Sequence, residues 1–352
     1  MWKKVFFVLS LTFGLGLFVF VIVRFGGIEN TLKIVGEVGW LGLAIYVANA
    51  SIVLIAPAIG WTILMRGEGM KVPISTALKA TFMGFPINFF APSMYLGSEP
   101  LKTYYVARAT GEPKRRVLAT IIVGKFQEVG GLLLVMLVAA GISMWKIENI
   151  RQHTGLIVGS MAVLIILFTL ALLAFLGNFR PTVRVINALA ALGVAKRKLA
   201  RLRSHAREME HLIHRSFTKG WRTFLASQAI TLLSSVSILI RPWIFFYFTK
   251  DRILLGAEYL CAIYVVTNII NMIPHTPGGL GIFEAGMVGL FKVAKIGEGE
   301  QAAAAFSIMT RAADLVLLLV GIYLIIHLNM QAIAKASAKG EQKLTVEDVK
   351  GP

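Results

Sequence analysis

Apolar residues in this chain fall into long runs rather than into short amphipathic stripes. Uninterrupted runs cover residues 5–23, 40–65, 117–143, 155–177, 221–249 and 302–328. Each is close to or above the roughly 20 residues that a helix needs to cross a bilayer. The pattern therefore predicts six spanning helices. The first run follows Met1-Trp2-Lys3-Lys4 and ends at Arg24-Phe25-Gly26-Gly27. A secretory signal would have an apolar core of only about 7 to 15 residues before a small-residue cleavage site, so this run is expected to be a retained helix.

Two further apolar segments differ in kind. Residues 76–101 contain Gly84, Pro86, Pro92 and Gly97, and residues 259–290 contain the string Pro274-His275-Thr276-Pro277-Gly278-Gly279-Leu280-Gly281. Proline lacks the backbone N–H and clashes with the preceding helical turn, so neither segment is expected to form one straight helix. Irregular backbone at membrane depth persists only where protein or a water-filled cavity satisfies its polar groups. Both segments are predicted to be re-entrant or broken helical hairpins lining a site.

Charge decides their parity. The chain has 36 Lys plus Arg against 18 Asp plus Glu, a net charge of +18, yet only 15% of its residues are charged and 57% are hydrophobic. Such a composition belongs to a membrane protein. If both broken segments crossed the bilayer, residues 178–222, with eleven Lys or Arg against Glu208 and Glu210, would lie outside, against the positive-inside rule. If both return to the side they started from, the N-terminus, residues 66–79, 102–116 and 178–222 and the C-terminus all face the cytoplasm and carry the excess charge. The positive charge is then a topology signal, and no nucleic-acid partner is implied.

The expected organisation is thus an all-α polytopic membrane protein with a first half at 1–177, in which helix 155–177 already opens the second repeat. A basic linker follows at 178–220, then the rest of the second half at 221–330 and a polar cytoplasmic tail at 331–352. In the linker, Leu189, Leu192, Leu199, Leu202, Met209, Leu212 and Ile213 recur at roughly helical spacing among basic residues. This reads as an interfacial amphipathic helix on an anionic leaflet. His205, His211 and His214 lie there without ligand spacing, and Cys261 is the sole cysteine. No disulfide framework, metal site or cofactor is expected.

The two broken segments resemble one another. Asn88, Pro92 and Gly97-Ser98-Glu99 precede Gly111 and a helix with Lys125 and Glu128; Asn271, Pro274 and Gly281-Ile282-Phe283-Glu284 precede Gly297 and a helix with Arg311 and Asp314. The cation lies 14 positions and the anion 17 positions after the glycine in both. With opposite directions of insertion, the halves form an inverted-topology repeat, the architecture of many secondary transporters, whose sites lie where broken helices meet.

Ionisable residues inside a bilayer are rare and usually face a partner or a cavity. Here Glu99, Lys125, Glu128, Arg241, Glu284, Arg311 and Asp314 fall in or at the edge of the hydrocarbon, and two of the pairs are spaced i,i+3. Pro277, Gly278, Gly279 and Gly281 permit positive φ, and the N–H groups that begin the next half-helix offer an anion site. A phosphate there would face Lys102 or Lys125 from the first half and Arg311 or Arg241 from the second. These twelve residues are the expected substrate-binding set, and no catalytic residue is assigned.

The string Pro-Gly-Gly-Leu-Gly-x-x-Glu from Pro277 to Glu284, the Arg311-x-x-Asp314 pair and the weaker Gly97-Ser98-Glu99-Pro100-Leu101-Lys102 resemble the flippase-like family named for the lysylphosphatidylglycerol synthase transmembrane region. The resemblance covers nearly the whole chain. It implies a prokaryotic inner-membrane protein that moves a lipid with an anionic headgroup, a phospholipid or a polyprenyl-phosphate or isoprenoid-type lipid, by alternating access. Two departures stand out: Lys125 occupies a position where the family usually has arginine, and no soluble synthase domain follows residue 328. An intramembrane lipid-linked transferase using Glu99, Glu284 or His275, or a non-transporting partner of a lipid-modifying enzyme, is the alternative. The sequence leaves open a second copy of the chain or a lipid-synthesis enzyme as partner.

Overall fold

The computed structural model describes residues 2–26, 28–90, 97–152, 154–177, 183–184, 186–188, 196–218, 220–249, 255–272, 276–296 and 299–338. Pro92, Pro274, His275 and Gly297 lie outside them, as do the side chains of Leu199, Leu202 and His205. The regular elements among the described residues are all helices, with no strand among them. The elements are α1 (Trp2–Val21), continued by one π turn (Ile22–Gly26), α2 (Ile28–Gly67), α3 (Ile74–Phe90), α4 (Glu99–Thr110) and α5 (Lys114–Lys146). There follow α6 (Glu148–Arg151), α7 (Thr154–Leu176), α8 (Lys196–Thr218), α9 (Trp221–Phe248), α10 (Ala257–Met272), a 3-10 turn (Pro277–Gly279), α11 (Ile282–Ala294) and α12 (Glu300–Ala338).

Among the described residues, five helices, at 29–67, 114–146, 157–176, 221–248 and 300–328, are long and apolar enough to cross a bilayer. These helices make this an all-α, multi-pass membrane protein. α2 is kinked where Gly39 adopts φ 65°, so its straight apolar part begins at Trp40, the start of the predicted run. The outward faces are apolar: Val163, Ile166, Leu167 and Leu170 of α7 and Leu315, Leu319 and Ile326 of α12 are exposed, as lipid-facing side chains must be.

Because lipid is as apolar as leucine, such helices are held by close packing and hydrogen bonds rather than by burial of oil from water. The central pair, α2 and α9, uses both. Gly60 lets α9 approach until Ser227 Oγ donates to the Gly60 carbonyl at 2.7 Å, and Ser237 Oγ donates to the Asn49 carbonyl at 2.7 Å. Tyr46 and Thr310 share a 2.7 Å bond between α2 and α12, and Trp61 Nε1 donates to Thr120 of α5 at 2.9 Å.

The packing pairs exchange in a regular way. α3 lies on α12 and α10 lies on α5; α2 contacts α3, α5 and α12, while α9 contacts α10, α12 and α5. Swapping α2 with α9, α3 with α10, α4 with α11 and α5 with α12 returns this same set of contacts.

The chain entering α3 meets the chain leaving α4, and the start of α10 and the end of α11 both lie near one end of α5. At the N-terminal end of α5, the Lys71 N–H before α3 donates to Glu112 after α4, at 3.3 Å. At the C-terminal end of α5, Ser143 Oγ donates to the Glu258 carbonyl in α10 at 3.1 Å, and Asn149 Nδ2 to the Val293 carbonyl at the end of α11 at 2.9 Å. These two sets of contacts therefore lie at opposite ends of a 33-residue helix, about 50 Å apart at 1.5 Å per residue. The basic linker helix α8 joins the first of these ends: Arg115 pairs with Glu208 at 2.7 Å, Ser216 donates to Glu68 at 2.9 Å, and Arg116 donates to the Glu68 carbonyl. Ile213 of α8 is fully buried and Phe217 stacks edge-on against Phe126 of α5, so this part of its apolar face is covered by protein.

One expectation is corrected. α3 does not break at Gly84 or Pro86; it runs through both to Phe90, before the interruption. Pro86 is tolerated because α12 presents Gly321, which has no Cβ to collide with the Phe82 carbonyl and the Pro86 ring. Gly84 is a point of close approach: a Cβ there would lie 2.7 Å from Lys102 Cε and 2.9 Å from Ser98.

Candidate functional site

The second break is held by one arginine. Gly278, Gly279 and Gly281 have φ of 60°, 68° and 81°, values open to glycine at little cost. The turn they make aims two carbonyls at α12, where Arg311 donates to Gly278 at 2.7 Å and to Gly279 at 3.3 Å. Arg311 also holds Glu284 at 2.7 Å and Asp314 at 3.5 Å. Glu284 is fully buried, and its other oxygen accepts the Gly281 N–H at 2.6 Å, capping α11. The N–H that the sequence offered to a phosphate is thus occupied by the chain's own carboxylate. Pro277 is buried in the same turn. Arg241 lies over the Tyr46 ring, its centre 5.9 Å away, within electrostatic reach of Asp314; its Nε is buried without a hydrogen bond.

The first break is organised differently. Asn88, near the tip of α3, accepts the Ser98 N–H at 2.9 Å and so fixes the start of α4. One turn later Lys102 is buried, and no ion pair joins it to a described residue. Lys125 is tied to Glu128 at 2.6 Å on α5. Both carboxylate oxygens of Glu99 are buried without a partner. Lys102, Lys125 and Glu128 line a cavity of about 20 Å³ with Thr81, Gln127 and Thr231. That is room for a water, not for a headgroup.

The tips of the two breaks touch: the Phe89 ring of α3 covers Gly278, where a Cβ would overlap it. α1 lies across the second break, with Gly14 and Leu17 against Thr276, Leu280 and Gly281. The twelve expected residues therefore form two sets, Glu99, Lys102, Lys125 and Glu128 in one half, and the glycine turn, Glu284, Arg311, Asp314 and Arg241 in the other. Sequence reasoning missed Gln127 and Ser227, whose side chains bond each other at 2.7 Å beside the first set, and the Asn88 brace. Asn88 alone had a visible signal, its recurrence as Asn271 before the second break. Among the described residues no group of three His, Cys, Asp or Glu side chains is placed to hold a metal.

The family model for the lysylphosphatidylglycerol synthase TM region matches residues 7–321, almost the whole of the chain and both breaks. The chain belongs to that family. Similar proteins include a UPF0104 membrane protein of Methanothermobacter thermautotrophicus, 24% identical over 264 residues, covering 72% of this chain and 75% of the relative. A second, from Pyrococcus horikoshii, is 20% identical over 286 residues, covering 78% and 83%. No solved structure matches.

Proposed function

We propose that the protein is a flippase-like lipid transporter, not an enzyme, of the prokaryotic inner membrane. Its cargo is a phospholipid or a polyprenyl-phosphate or isoprenoid-type lipid with an anionic headgroup. It works by alternating access between two re-entrant elements related by an inverted repeat. The observation that carries this reading is that the two broken segments open at opposite ends of α5 while their tips meet at Phe89 and Gly278, among charges that a bilayer tolerates only at a partner or cavity. A cavity too small for a headgroup fits a closed state of such a cycle. The basic loops and α8 gather at one end, which the positive-inside rule makes cytoplasmic, with both termini on that side and α8 against the anionic leaflet.

Two measurements test it. In liposomes holding labelled phospholipids or polyprenyl phosphates, the purified protein is expected to move label between leaflets; failure across a broad panel with folded protein ends the transport reading. In a Cys261→Ser background, Lys71→Cys and Lys292→Cys are expected to react with an impermeant thiol reagent from opposite faces of the membrane. Reaction from the same face would sink the inverted repeat.

A further inference from the structure

The start of α4 holds polar groups that the described chain leaves unanswered. Ser98, Glu99, Lys102 and Thr103 occupy adjoining positions on one side of its first turns, and Ser98, Lys102 and Thr103 are at least nine-tenths buried. The Ser98 and Thr103 hydroxyls and both Glu99 oxygens are buried without a hydrogen bond, and no ion pair joins Lys102 to a described residue. These groups are close together. A Cβ on Gly84 would lie 2.7 Å from Lys102 Cε and 2.9 Å from Ser98 Oγ, and Glu99 is within electrostatic reach of Lys102 and Lys125. Ser98 does not turn its hydroxyl back to cap α4, and Pro100 has no N–H to offer. The matching turn of the second half is closed by its own chain, since Glu284 accepts the Gly281 N–H and is held by Arg311. Buried polar groups without partners are costly and few in native proteins, so a cluster of them marks a place for a ligand.

We infer that this turn holds the headgroup of the transported lipid, and that the head is a polyol joined through a phosphodiester, with glycerol the simplest case; this rests on the transport reading above. Lys102 and the Ser98 hydroxyl donate to the phosphodiester at the N-terminal end of α4, where a helix favours an anion. The two oxygens of Glu99 accept a pair of neighbouring hydroxyls from the head, and Thr103 adds a further hydroxyl on the same side. An ammonium head fits Glu99 less well. It would bring a third cation up to Lys102 and Lys125, whereas hydroxyls donate without adding charge. The head needs more room than the cavity of about 20 Å³ beside Lys102, so binding requires α4 to part from α3 or α5, the helices it packs on.

The test measures binding of short-chain lipids to the purified full-length protein in detergent. Dihexanoyl phosphatidylglycerol and dihexanoyl phosphatidylmethanol carry the same phosphodiester and the same charge, and only the first has free hydroxyls. The wild type is expected to bind the glycerol lipid about tenfold tighter for each hydroxyl held, roughly 100-fold for two. Glu99→Leu is expected to bring the two affinities together by weakening phosphatidylglycerol alone, and Ser98→Ala to weaken both lipids alike. Equal wild-type affinities overturn the polyol, tighter binding of dihexanoyl phosphatidylethanolamine overturns it in favour of an ammonium head, and binding of none of the three overturns the site. If glycerophosphoglycerol, the same head without acyl chains, binds as tightly as the lipid, the ligand is a soluble phosphodiester and the lipid assignment falls. These wild-type comparisons stand even if a variant fails to fold. Liposomes holding labelled phosphatidylglycerol or phosphatidylmethanol decide transport separately. Movement of both lipids with equal binding overturns the inference and leaves the transporter standing, whereas selective binding without movement ends the cargo role and leaves a polyol-phosphodiester site.

Discussion

Arg311→Ala is expected to lower the stability of the protein by about 3–5 kcal/mol, the usual penalty for stranding a buried charge. Arg311 satisfies four groups at once: the Glu284 and Asp314 carboxylates and the Gly278 and Gly279 carbonyls. Its removal leaves Glu284, which has no exposed surface, charged and unpaired, and frees the glycine turn from α12. Arg311→Lys keeps the charge but not the fork of donors that reaches a carboxylate and two carbonyls together, so it should lie between the two. The readout is thermal unfolding of the detergent-solubilised protein. A wild-type melting point for Arg311→Ala would reduce the cluster to a set of dispensable contacts. Glu284→Gln is the companion: its single amide oxygen can accept from Arg311 or from the Gly281 N–H but not from both, and the charge is removed, so it should lose transport with less loss of stability than Arg311→Ala.

That cluster also marks where sequence reasoning stops. The i,i+3 spacing correctly paired Lys125 with Glu128 at 2.6 Å, because residues three apart on a helix are neighbours whatever the rest of the fold does. The same spacing between Arg311 and Asp314 yields only a 3.5 Å contact, since the better partner, Glu284, comes from 27 positions upstream across the glycine turn. Composition and hydropathy were enough for the all-α membrane class and for spans such as 117–143 inside α5, because a bilayer imposes length and apolarity on each helix separately. The breaks were legible less accurately. Gly84 and Pro86 look like interruptions in isolation, and only the packing of Lys102 and Gly321 against them shows that they serve close helix contact instead. Nor did any pattern separate an occupied cation from an available one: Lys102 is buried and Arg311 largely so, and their difference lies in which carboxylates and carbonyls reach them.

That difference makes Lys102→Met the most telling substitution. If Lys102 were a structural staple like Arg311, its loss would destabilise the fold. No described carboxylate or carbonyl depends on it, however, and methionine fills the space of its stem next to Gly84. Replacing a buried cation that has no partner by an apolar side chain removes a desolvation cost without stranding another charge. The melting temperature should therefore stay level or rise. On the transport proposal, a lipid anion at Lys102 would by contrast lose its charged donor. At about 2 kcal/mol for a hydrogen bond to a charged group, binding of dihexanoyl phosphatidylglycerol and the initial rate of lipid movement should both fall roughly 30-fold. Lys102→Arg, which restores the charge, should recover most of the rate. A fall in melting temperature with unchanged binding would mean the reverse assignment: the first half would hold the staple, and the headgroup would have to be sought around Arg241, whose Nε is buried without a hydrogen bond.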